Sequence, residues 1–162
     1  MRWNLIDKFI EFEPGKRAVA VKANTLAEDH LRDLHPDYPI VPNTLLIEGM
    51  AQTAGILVGE SRQFTEKVIL AKITRATFFR VVLPGETVRF EAIIDSLNDV
   101  GASITGKAVM FDSLDLVAEI ELMFSHVDNN LAGMQFPEHN FVFAGNFDEV
   151  LNSLIEVDPI RI

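Results

Sequence analysis

The chain has 162 residues, 48% of them hydrophobic and 23% charged, enough for one domain that buries about 70% of the surface its unfolded form exposes. Abundant leucine, isoleucine, valine and phenylalanine exclude a disordered chain, and the lack of cysteine excludes disulfides, thiolate nucleophiles and cysteine-ligated metals. The net charge of -10 argues against non-specific nucleic-acid binding, and no run approaches the roughly 18 apolar residues of a membrane span, so a cytoplasmic protein is expected.

Residues 5 to 13 alternate loosely, and Pro14-Gly15 sits where a type II turn takes proline followed by glycine. Residues 17 to 25 then alternate again, which predicts a first hairpin. From Ala27 to Asp33 the chain is polar, and Pro36, Pro39 and Pro42 follow at three-residue spacing, which forbids regular helix and central strand and predicts an ordered extended loop. Asn43 is the expected N-cap of a helix over residues 44 to 59, apolar nearly all round and therefore expected to be wrapped by the rest of the protein. Gly49, Ala51, Ala54 and Gly55 would let a sheet approach it closely.

Four long strands are predicted beyond the helix, over residues 68–79, 87–97, 102–111 and 116–125. Pro84-Gly85, Asn98 to Gly101 and Asp112-Ser113 supply the turn chemistry between them. The fold class is α+β, an antiparallel sheet wrapped around one long central helix. Residues 1–126 are read as the single domain and 127–162 as a C-terminal extension, in which Asn146 would cap a short helix over 147–155.

Glu48 is the only charged residue between Pro39 and Gly59. Thr44, Glu48 and Gln52 recur at four-residue spacing and make one polar stripe on an apolar cylinder, near its N-terminus. Burial favours the neutral acid and the helix dipole the carboxylate, a contest that suits a group trading a proton near neutral pH. A glutamate paired with an arginine, or facing a water-filled dimer seam, fits the same pattern. His35 lies in the proline-rich loop, where it could be aimed at Glu48; His30 lies in the polar run before it, and His126 and His139 have nothing near them in sequence to suggest a site. No metal-ligand spacing, phosphate loop or nucleophile elbow is present, and no cofactor is expected. All of the net negative charge falls in residues 95–162. An anionic partner should therefore meet the first part, where Lys67, Lys72, Arg75 and Arg80 occur with no acid between them.

The segment HPDYPIVPNTLLIEGMAQTAGILV resembles the (3R)-3-hydroxyacyl-[acyl-carrier-protein] dehydratases of the hot-dog fold, whose loop and helix read H-F-P-G-x-P-x-x-P-G followed by an apolar helix with glutamate and A-x-A-Q. DKFIEFEPGKRAVAVK is similar to that family's first hairpin, ATFFRVVLPGETVRFEA to its A-x-F-x-R-x-V-x-P-G segment, and VAEIELMF to its last strand, so the resemblance spans residues 4 to 126. It implies an active site at a dimer interface, with histidine from one subunit as base toward C2 of the acyl chain. Glutamate from the other subunit is the acid toward the 3-hydroxyl, and helix N-terminal amides polarise the thioester carbonyl.

Glu48 matches the acid. The family's histidine position is Leu34, with His35 one place later, and Asp33, Asp37 and Asn43 replace three of the motif's glycines. The expected site is therefore Glu48 and His35, with Leu34, Pro42, Asn43, Thr44, Gln52, Phe78 and Phe79 lining the substrate path. Acyl carrier protein and an acyl thioester are the expected partners, in a homodimer or trimer of dimers acting in fatty acid or related acyl-chain biosynthesis. A glutamate-dependent thioesterase, and a non-catalytic acyl-carrier-binding or partner subunit lacking the base, are the alternatives. Family members that also isomerise the product usually have aspartate at the place of Glu48.

Overall fold

A computed structural model describes residues 4–33, 37–127, 130–131 and 134–135. Strands β1 (Lys8–Glu13) and β2 (Arg17–Ala23) form the expected hairpin. Its turn has Gly15 at φ +69° and a bond from Lys16 N–H to the Glu13 carbonyl of 3.0 Å, the positive dihedral that makes glycine necessary there. A short helix, α1 (Asp29–Asp33), occupies part of the polar run read above as loop. Its sequence, DHLRD, is too short for periodicity to reveal it; what holds it is Leu31, 1% exposed in the core.

Helix α2 runs Asn43–Ser61. Pro42, not Asn43, is its N-cap, and the Asn43 side chain makes no capping bond. The proline's fixed φ, here -58°, places its carbonyl to accept from Leu45 N–H at 2.9 Å and Leu46 N–H at 3.3 Å, so backbone geometry supplies what a capping side chain would have supplied. From Gly49 to Gly59 the helix is buried apart from Gln52. Thr53, 0% exposed, satisfies its hydroxyl on the Gly49 carbonyl at 2.8 Å.

Strands β3 (Lys67–Phe78), β4 (Thr87–Leu97), β5 (Gly101–Met110) and β6 (Leu116–Val127) complete a six-stranded antiparallel sheet in the order β1-β2-β4-β5-β6-β3. Two further short strands, β7 (Asn130–Leu131) and β8 (Met134–Gln135), pair with each other in a separate sheet. This is the hot-dog arrangement, with α2 packed on the concave face through Met50, Ala54, Leu57 and Val58 against Phe90, Ile104, Ile120 and Leu122. The close approach is real at Gly49 and Gly106. A Cβ on Gly49 would stand 2.6 Å from Phe90 Cζ, and one on Gly106 would strike the Met50 thioether and come within 3.0 Å of the Ile120 carbonyl.

The Pro84-Gly85 turn repeats the first, with Gly85 at φ +89° and Glu86 N–H bonded to the Leu83 carbonyl at 3.2 Å. At the β4–β5 turn Asn98 Oδ1 accepts from Val100 N–H and Gly101 N–H. The third turn differs from its expected chemistry, since Leu114, not Asp112 or Ser113, takes the left-handed dihedral, at φ +61°. β3 is an edge strand whose pairing with β6 skips Ala71 and Thr74, and Ala71 to Arg75 are all exposed. No helix of the described residues is long and apolar enough to cross a membrane. The helix expected over 147–155 lies outside the described residues.

Candidate active site

The polar stripe Thr44, Glu48 and Gln52 lies on the one face of α2 that the sheet leaves uncovered. Thr44 and Glu48 are exposed and Gln52 is half-buried. The burial expected for Glu48 is thus absent in the single chain. The reason is local: Glu48 stands between Ile47, half-buried, and Gly49, buried, on the side opposite Leu46 and Met50, which fill the core.

Glu48 is nevertheless held. Gln52 Nε2 donates to its Oε1 at 3.0 Å, and Gln52 Oε1 accepts from Leu5 N–H at 2.9 Å. A backbone N–H can only donate, so it fixes which end of the amide is oxygen and leaves the NH2 for the carboxylate. Leu5 is 6% exposed and its carbonyl lies over Gly49, so the lead-in to the first hairpin is seated on the helix beside the acid. The sequence pattern placed Gln52 on the stripe. It gave no hint of Leu5, whose contribution is a main-chain donor that any residue but proline carries.

At the helix start, the N–H groups of Asn43 and Thr44 are the two that helical geometry leaves outside the ladder once Leu45 and Leu46 have bonded to Pro42. Both residues are exposed and Pro42 is half-buried. The approach to them is tied down by Val41 N–H on the Val82 carbonyl at 2.9 Å. That segment is braced in turn by Glu86, which accepts from Arg80 Nη2 at 2.6 Å and from Leu83 N–H at 2.7 Å. At the end of β3, Phe78 packs against the core while Phe79 is 53% exposed.

Leu34 and His35 lie outside the described residues, so Glu48, Gln52, Pro42, Asn43 and Thr44 are the expected site residues that the structure brings to one helix end. His30 Nε2 stands 3.1 Å from Glu28 Oε2. His126 Nδ1 is 2.7 Å from Glu66 Oε2 and its residue pairs in register with Val68, at the far end of α2 from Glu48. His139 is outside the described residues. Among the described residues no group of histidine, aspartate and glutamate could hold a metal ion.

The basic stretch read as a docking face is largely committed elsewhere. Lys67 is buried, Arg75 pairs with Glu121 at 2.7 Å, and Arg80 pairs with Glu86 at 2.6 Å. The acids lie beyond the stretch itself, Glu121 arriving by strand pairing opposite Arg75 and Glu86 across the Pro84-Gly85 turn, which is why a run free of acids looked more cationic than it is.

The FabA-like domain family matches residues 1–121. The 3-hydroxyacyl-[acyl-carrier-protein] dehydratase FabZ of Caldanaerobacter subterraneus subsp. tengcongensis is 39% identical over 121 residues, 74% of this chain and 84% of its own. The FabZ of Listeria welshimeri is 35% identical over 125 residues, 76% and 85% of the two chains. Among solved structures, the dehydratase heterocomplex ApeI:P from Xenorhabdus doucetiae superposes with a TM-score of 0.61 at 14% identity, covering 78% of this chain and 84% of that one. A conserved protein from Pseudomonas aeruginosa gives 0.60 at 18% identity, covering 74% and 87%. These two share the fold, whereas the family model and the sequence relatives fix the lineage: the chain belongs to the FabA-like family of hot-dog proteins.

Proposed function

We propose that the protein is a 3-hydroxyacyl-[acyl-carrier-protein] dehydratase, a hydro-lyase that converts a 3-hydroxyacyl thioester to the trans-2-enoyl thioester in fatty acid biosynthesis. The observation that carries the reading is a lone carboxylate, Glu48, held by Gln52 on the open face of the buried helix, in a chain 39% identical to a protein of that name.

In this reading His35 removes a proton from C2, and the electrons of that C–H bond become the second bond between C2 and C3. The C3–O bond breaks, and Glu48, entering as the acid, gives its proton to the departing hydroxyl, which leaves as water. The amides of Asn43 and Thr44, at the positive end of α2, face the thioester oxygen where negative charge develops. Gln52 keeps the Glu48 oxygens in a fixed plane, and Phe78 and Phe79 flank the acyl chain. Histidine and glutamate come from different subunits of a homodimer. The open stripe and the side of β3 that no described strand pairs with are consistent with that, since a long exposed edge strand calls for a partner. Residues 1–126 are the catalytic unit, acyl carrier protein delivers the substrate, and the reaction runs in the cytoplasm.

Glu48→Gln and His35→Ala should each lower hydration of an enoyl thioester, followed by loss of the conjugated absorbance, by about two to four orders of magnitude. Leu34 at the family's histidine position favours a second reading, a partner subunit without the base. Under it the wild type is inert, His35→Ala changes nothing, and Leu34→His creates activity. Activity lost with Glu48→Gln but kept in His35→Ala refutes the histidine-base mechanism.

A further inference from the structure

One half-buried charge cluster, open to solvent at Asp7, plays no part in the chemistry above. The ammonium of Lys22, on β2, lies 3.0 Å from Asp7 Oδ1 and 2.8 Å from Glu28 Oε1, with its side chain only 13% exposed. Glu28 Oε2 continues to His30 Nε2 at 3.1 Å. Both acids are themselves anchored. Asp7 accepts from Ala23 N–H through Oδ2 at 2.8 Å and donates its own N–H to the Val21 carbonyl at 2.7 Å. Glu28 N–H bonds the Thr25 carbonyl, and the Glu28 carbonyl accepts from Leu31 N–H.

Such a cluster is a poor source of net stability, because desolvation of the Lys22 ammonium offsets part of the attraction and water screens it at the exposed Asp7. It does fix geometry, since a lysine shared between two carboxylates cannot shift without breaking two charge-assisted contacts at once. Its two carboxylates lie on segments that lead to opposite halves of the proposed site. Asp7 is two residues from Leu5, whose N–H sets Gln52 and so Glu48. Glu28 immediately precedes α1, and the chain passes from the end of α1 at Asp33 directly to Leu34 and His35.

We propose that Lys22, through Asp7 and Glu28, is a positioning residue that sets the lead-in beneath the acid and the take-off of the loop that carries the base. The proposal rests on the dehydratase reading, and it assigns to Lys22 no contact with substrate. Loss of the ammonium should cost turnover more than binding, because a small displacement of acid or base weakens the transition state far more than it weakens docking of the acyl chain.

The test uses Lys22→Met and Lys22→Arg in the full chain. The probe is trans-2-octenoyl-N-acetylcysteamine, with amide hydrogen exchange read by mass spectrometry. Lys22→Met should lower kcat for hydration about tenfold or more, leave KM within about twofold and speed exchange across residues 24–33 but not across β4 and β5. Lys22→Arg should recover most of the lost kcat. A kcat within twofold of wild type in Lys22→Met overturns the proposal whatever happens to the melting temperature, and so does an arginine variant no better than the methionine one.

Should Lys22→Met fail to fold, Glu28→Gln carries the same test, since it keeps the side chain's length and removes only its charge; unchanged kcat there overturns the proposal equally. If the wild type does not hydrate the thioester, the dehydratase reading is what fails. The positioning role then stands on accelerated exchange over 24–33 in the variant and falls on unchanged exchange.

Discussion

Replacing Gln52 by leucine isolates the link between backbone and acid, because leucine has nearly the same reach and no polar atoms. The change removes the 3.0 Å bond to Glu48 and the 2.9 Å bond from Leu5 N–H. Glu48 is exposed and recovers its loss from water, so that bond is worth little to folding. Leu5 is 6% exposed, and its orphaned N–H costs about 1–3 kcal/mol. For a chain of this size that is a fall in melting temperature of roughly 2–10 °C.

The catalytic effect follows from the other end of the amide. Without its donor the carboxyl group rotates among several rotamers, and about 10- to 100-fold should be lost from kcat, the cost of misplacing a reacting group by about 1 Å. Enoyl-thioester hydration and a urea titration on the same preparation separate the two effects. A variant that keeps its full kcat while losing stability would refute the argument that Gln52 orients the acid, and a variant as stable as wild type would refute the burial argument for Leu5.

Gly106→Ala should destabilise by about 1–2 kcal/mol by urea titration, because the new methyl strikes the Met50 thioether and the Ile120 carbonyl and overpacking outweighs the gain from removing a strand glycine; in a Met50→Ala background the same change should cost less than half as much. The Lys22 ammonium is desolvated, which pulls its pKa down, but hydrogen bonds and charges from Glu28 and Asp7 outweigh that and hold it above the ordinary 10.5. Its contribution to stability is therefore complete below about 10.5 and lost as pH rises through the raised value, so the fall in urea midpoint between pH 9 and 12 should be smaller in Lys22→Met than in wild type. Light scattering at micromolar concentration should give at least twice the 18.1 kDa of one chain, and a monomer would remove the two-subunit site.

What the sequence made legible was what repeats or what only one residue type can do. The two Pro-Gly turns were readable because each demands a positive φ at its glycine, and both have it. The four long strands were readable within a residue or two at each end from their alternation and turn chemistry. α1 was not, because five residues carry no period and its one anchor, Leu31, declares itself only when the core around it exists. The polar stripe was legible from four-residue spacing, but its exposure was not. An apolar helix predicts burial on every side, and only the sheet order shows which face stays open. The pairing within the cationic stretch was hidden for the same reason, since Glu121 meets Arg75 through strand pairing that local charge counting does not see.

The strand order also dictates how the chain comes together. β4, β5 and β6 follow one another through tight turns and sit side by side, so their pairing closes only short loops. The β2–β4 seam, with Arg17 opposite Ile93, and the β3–β6 seam, with Lys67 opposite Val127, span the helix or the whole meander. Loop-closure entropy delays such long-range seams relative to the meander. Until both are made, the buried stretch Gly49 to Gly59 of α2 lacks the cover that β2 and β3 give it. The interval between meander and finished sheet is accordingly when this protein is most exposed to aggregation, and slow synthesis or low temperature during expression should serve it better than a stronger promoter.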